Sequence, residues 1–113
     1  MTLPGATRAV IDPAKLTDYL LSLAHPVGRF KAAYFARLGF LAEDWRLVET
    51  VLLDVAASGT VQAVEETRYG RKYRVHGRIE PPIGGAVALA TVWIALSDED
   101  FPRFVTAFPG EER

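Results

Sequence analysis

Cysteine is absent from the 113-residue chain, which excludes disulfides, thiolate-held metals and thiol chemistry together. Histidine occurs only twice, as His25 and His76. Two histidines so far apart, with no His–Glu pairing at a ligand spacing, argue against a zinc centre. Asp98, Glu99 and Asp100 are consecutive and lack the frame of an EF-hand, so they read as a charged turn. Gly84-Gly85 lacks the Lys-Ser/Thr of a phosphate loop. No metal and no cofactor is therefore expected. No apolar run is long enough to span a bilayer, and Met-Thr-Leu-Pro-Gly-Ala-Thr-Arg has no apolar signal core. The expectation is a cytoplasmic chain without a membrane partner. A net charge of −1 argues against a generally basic nucleic-acid binder, while leaving room for charge segregated onto one surface.

Half of the residues are hydrophobic and 24% are charged, enough apolar material for one real core and too short a chain for two. A single domain over residues 1–113 is expected. Residues 1–11 read as an N-terminal arm or a short strand, 12–58 as helical and 60–109 as an antiparallel sheet. Asp12-Pro13 is an N-cap followed by a first-turn proline, and Leu16, Tyr19, Leu20 and Leu23 then recur at helical spacing. His25 suits a cap or pre-cap position and Pro26 the first turn of a second helix, with Phe30, Ala33, Tyr34 and Leu38 expected on its buried face. Gly39 stops that helix, and Phe40 folds back as the accompanying apolar contact. A third helix begins around Glu43-Asp44, carries Trp45, Val48, Leu52 and Val55 on one side, and ends at Ser58-Gly59.

Beyond Thr60 the period changes to two. Residues 61–68 and 71–79 flank the hairpin signal Tyr69-Gly70, residues 80–85 form a Pro/Gly loop, 86–96 read as a central strand, and 101–108 as the last. The fold class is α+β: three N-terminal helices packed on one face of an antiparallel sheet of about four strands. In the second strand Tyr73, Val75 and Ile79 point one way and Lys72, Arg74, His76 and Arg78 the other. Residues 67–79 hold five Lys/Arg and no acid. Basic charge is thus concentrated on one strand, which fits either a solvated sheet face or a phosphate-binding surface.

The ordered set His25-Pro26-Val27-Gly28, Lys31, Phe35, Gly39-Phe40, Tyr69-Gly70-Arg71-Lys72-Tyr73, Thr91-Val92-Trp93-Ile94 and Pro102 to Pro109 resembles a family of small bacterial domains of unknown function. The resemblance covers nearly the whole chain. Domains of that family occur alone or at the ends of proteins resembling polymorphic toxins, and their helices-then-sheet order is similar to barnase/RelE-like ribonuclease toxins. Shared fold order does not fix function. The resemblance implicates His25, Lys31, Lys72, Thr91, Arg103 and Thr106; His76 matches no position that the pattern demands.

Metal-independent RNA cleavage needs a proton acceptor at the ribose 2′-hydroxyl, a donor at the departing 5′-oxygen, and cations around the phosphorane-like transition state. In that scheme His25 is the acid or base, with Lys31, Arg103 and Thr106 beside it. Lys72, Arg74, Thr91 and Trp93 bind substrate, the indole by stacking a base. Every position also has a plainer reading. His25 fits a helix start whose ring bonds to backbone, Lys31 a surface lysine, Thr91 and Thr106 ordinary strand residues, Trp93 a core residue, and Arg103 a partner of the acids at 98–100. Two function classes follow. One is a toxin-type ribonuclease whose partners are RNA and a small cognate immunity or antitoxin protein. The other is a non-enzymatic interaction module using the same basic and aromatic face.

Overall fold

The computed structural model describes residues 1–111. Three helices precede four strands, as the change of period implies. Helix α1 (Pro13–Lys15) runs on as a π-helical turn over Leu16–Leu20, α2 spans Arg29–Arg37 and α3 Trp45–Ser58; β1 is Thr60–Glu66, β2 Gly70–Ile79, β3 Val87–Leu96 and β4 Pro102–Pro109. The strands form one antiparallel sheet in the order β1-β2-β3-β4. Each neighbours its successor because short hairpins leave no room for a crossover. Among the described residues of the arm, Val10 bridges to Arg103 on β4 in parallel sense, and the Met1 carbonyl accepts from Val61 N on β1.

The helices cover one sheet face. Leu16, Leu20, Phe35, Val48, Leu52 and Val55 from the helical layer meet Tyr73, Val75, Leu89, Trp93 and Phe104 from the sheet in a single buried cluster. Trp93 and Phe104, cross-strand neighbours, meet edge to face at 5.4 Å between centroids. Burial of side chains this large supplies most of the drive to fold, at about 1.5–3 kcal/mol each.

Local signals place the helix ends. The Asp12 carboxylate accepts from the Ala14 amide, capping α1. Gly39 takes φ 94°, its amide bonding Ala36 O, while Phe40 N returns to Phe35 O and buries its ring. That reversal needs a residue without a Cβ clash in the left-handed region. Two expected faces are corrected. In α2 the buried residues are Ala32 and Phe35, and Phe30 is 69% exposed. In α1 the π turn, closed by Leu21 N to Leu16 O, ends the helix at Leu20 and leaves Leu23 68% exposed. One extra residue in a turn rotates everything after it, which a fixed 3.6 period cannot register.

Candidate functional site

His25 is the first residue whose role its surroundings define. Its Nδ1 accepts from the amides of Val27 (3.0 Å) and Gly28 (2.9 Å), and its carbonyl accepts from Arg29 N at 3.0 Å. These are cap-type bonds, made by a ring nitrogen in place of the usual hydroxyl or carboxylate, and they close the turn that leads into α2 at Arg29. The consequence for chemistry is direct. A nitrogen that accepts is unprotonated, so the neutral ring carries its proton on Nε2. An imidazolium, with a proton on both nitrogens, loses both cap bonds. His25 thus offers its Nε2–H as a donor, while a proton placed on Nδ1 would displace both backbone bonds.

Tyr19 is the hub that sequence reading assigned only to a helix face. Its ring meets the His25 imidazole edge to face, 5.1 Å between centroids. The ammonium groups of Lys15 and Lys31 lie 5.8 and 5.9 Å from its ring centre. Its hydroxyl bonds the Thr106 hydroxyl at 2.9 Å. Gly28 makes the arrangement possible. A Cβ there would lie 2.1 Å from the Tyr19 carbonyl oxygen, so the last residue of His-Pro-Val-Gly must be glycine for the second helix to abut the first. The joint signal in the sequence is this glycine following a capping histidine, but nothing in it names Tyr19 as the neighbour.

Thr106 ties this cluster to the sheet. It pairs with Val92, which pairs with Arg74, and Arg74 with Ala63, so the four side chains share one row on the face away from the helices. A bulge between the Val92 and Trp93 pairings leaves Val105 unpaired. Without it Thr106 would follow Phe104 onto the core side; the extra residue re-aims it. The next row holds Arg103, Ile94, Lys72 and Glu65. Between these rows lies a shallow depression of about 270 Å³ lined by Glu65, Lys72, Arg74, Val92 and Phe108. A larger cavity of about 410 Å³, beside the end of α3 and lined by Asp54, Ser58, His76 and Arg78, contains none of the expected site residues.

Three expected residues have other work. Thr91 and Trp93 have no exposed surface: the indole N–H donates to Thr91 Oγ1 at 2.8 Å, and that hydroxyl donates to Val75 O at 2.9 Å. They are corrected to core residues, since the alternation of β3 turns both toward the helices and no substrate reaches them. Arg103 is exposed, but its guanidinium grips Glu99 through Nε (2.7 Å) and a terminal nitrogen (2.6 Å) and lies over the Phe101 ring. That fork holds Glu99 below the usual carboxylate range and raises Arg103 further above neutrality. Arg103 is thus a structural clasp at the β3–β4 turn, and the convergence brings together His25, Lys31 and Thr106 without it. Among the described residues no three His, Asp or Glu side chains gather as a metal site, and no helix is long and apolar enough to cross a membrane.

Residues 2–111 match the family model described as Domain of unknown function (DUF6883). The chain belongs to this family. No curated protein matches it in sequence. Among solved structures it is similar to a chain of a contact-dependent growth inhibition toxin–immunity protein complex from Klebsiella pneumoniae 342, with a TM-score of 0.70 and 18% identity over 89% of this chain and 99% of that one. At that identity the likeness is one of fold: this member of DUF6883 shares the architecture of a component of such a complex.

Proposed function

We propose that this domain is a metal-independent RNA endonuclease of toxin type that binds the ribose-phosphate backbone on the open sheet face and is restrained by a small immunity protein covering that face. The observation that carries the reading is the meeting of His25, Lys31 and Thr106 around Tyr19, in one row with Arg74. The shared fold with a component of a toxin–immunity complex supports the same direction. In the reaction the 2′-oxygen bonds to phosphorus as the bond to the 5′-oxygen breaks. With His25 Nδ1 committed to backbone, a water molecule takes the proton from the first oxygen and water supplies one to the second, leaving 2′,3′-cyclic phosphate and 5′-hydroxyl ends.

In this reading the protein contributes mainly charge stabilisation. Lys31 and Arg74 offset the growing phosphorane charge, and the Nε2–H of His25 and the Thr106 hydroxyl donate to its oxygens. Lys72 extends the contact along the backbone. A purified domain freed of partners should release cyclic phosphate ends from RNA in the presence of chelator. Its affinity for a non-cleavable RNA should fall with salt, and the double change Lys72→Ala, Arg74→Ala should flatten the slope by roughly one unit per lost contact. Absence of cleavage, or affinity indifferent to salt, would remove this reading.

One observation favours the second function class. The backbone bonds of His25 Nδ1 suit a purely structural start of α2, and in that case the same surface serves an acidic protein partner without chemistry.

A further inference from the structure

We infer that Tyr19 is itself an anion-contacting residue and that, with Thr106, Lys15, Lys31 and His25, it forms a phosphate site at the β4 edge. The inference rests on the phosphodiester-binding part of the reading above and extends it to a residue and a site of its own. The Tyr19 and Thr106 oxygens are 2.9 Å apart and either can be the donor. One proton is used between them, so the other hydroxyl proton remains free to point outward. The pair is a single donor that can be presented from either oxygen, and both residues keep part of their surface in solvent.

The groups that the structure places against the Tyr19 ring are donors. The two ammonium groups near the Tyr19 ring are joined by the His25 ring, whose Nδ1 is committed to backbone and whose Nε2 therefore carries the proton. Among the described residues neither Lys15 nor Lys31 forms an ion pair with a carboxylate. The ring attracts both ammonium groups, and a bound anion would offset the repulsion that remains between them. A tetrahedral phosphate, with several acceptor oxygens, suits donors arriving from two helices and a strand. A planar carboxylate offers fewer acceptors for the same set.

The test uses the intact domain with two probes: a fully 2′-O-methylated RNA oligonucleotide, which cannot be cleaved, and inorganic phosphate. Titration followed by NMR should shift resonances of residues 15, 19, 25, 31 and 106. Tyr19→Phe keeps the ring against His25 and both lysines but deletes the hydroxyl. It should weaken oligonucleotide binding about ten- to a hundredfold, the usual effect of losing a hydrogen bond to a charged group, with a melting temperature near that of the unmodified chain. Lys31→Ala should weaken it as well. Equal displacement of the oligonucleotide by phosphate at comparable concentration would assign the site to free phosphate; failure of phosphate to compete would assign it to the phosphodiester chain. Unchanged binding by Tyr19→Phe, or shifts confined to Lys72 and Arg74, would overturn the inference even in a domain that cleaves RNA. Tyr19-dependent binding in a domain that cleaves nothing would uphold it and remove the ribonuclease reading instead.

Discussion

Two substitutions at His25 separate its cap from its chemistry. His25→Ala removes the acceptor of two amide bonds, at 3.0 and 2.9 Å. Loss of an N-cap side chain costs about 0.5–2 kcal/mol, and a cap that serves two donors belongs in the upper half of that range. A change of about 1 kcal/mol shifts the melting temperature of a domain of this size by roughly 4–8 °C, so a fall of about 5–16 °C is expected. His25→Asn restores a side-chain oxygen suited to the same position but supplies no ring at Tyr19 and no Nε2–H. It should recover most of the stability. Cleavage, compared at equal folded fraction through release of cyclic phosphate ends, should stay about a hundred- to a thousandfold down in both variants, as for loss of one transition-state donor. Calorimetric or optical melting together with the cleavage assay reads both effects. Full stability in His25→Ala would refute the cap argument, and full cleavage in His25→Asn would refute the donor role.

Other expectations follow from the same contacts. Gly28→Ala has ordinary helical geometry and would normally gain about 1 kcal/mol from helix propensity, but its Cβ would meet the Tyr19 carbonyl oxygen at 2.1 Å. A net loss of about 1–3 kcal/mol is expected from the overpacking, and a gain measured by denaturant melting would disprove the close approach. Thr91→Val preserves shape but strands the Trp93 N–H in the core, so it should cost about 1–3 kcal/mol without altering cleavage at matched folded fraction; selective loss of cleavage would return Thr91 to the site. The Glu99 carboxyl is held low first by its hydrogen bond from Arg103, and that of Asp100 by its hydrogen bond from Arg8. A depressed folded pKa contributes stability that is present above the unfolded carboxylate range and lost as pH falls through the folded value. Glu99→Gln should therefore narrow the difference in melting temperature between neutral and acid pH, and an identical pH profile would count against the clasp.

The sequence by itself determined the layers. Periods of 3.6 before residue 59 and of two after residue 60, with Asp12, Gly39 and the turns marking the ends, specify three helices and an antiparallel sheet because each signal acts within a few residues of its cause. The backbone-bonded ring of His25 was legible for the same reason: a cap reaches only two or three residues ahead. Tertiary structure alone decided which of the candidate residues meet. The π turn after Lys15 changed which residues α1 shows to solvent, and the bulge at Val105 turned Thr106 from the core side to the open face. Tyr19 and Thr106 lie 87 residues apart in the chain, so no local pattern joins them. The strand alternation that sends Thr91 and Trp93 into the core depends on which face the helices cover, and that is settled only when the two layers pack.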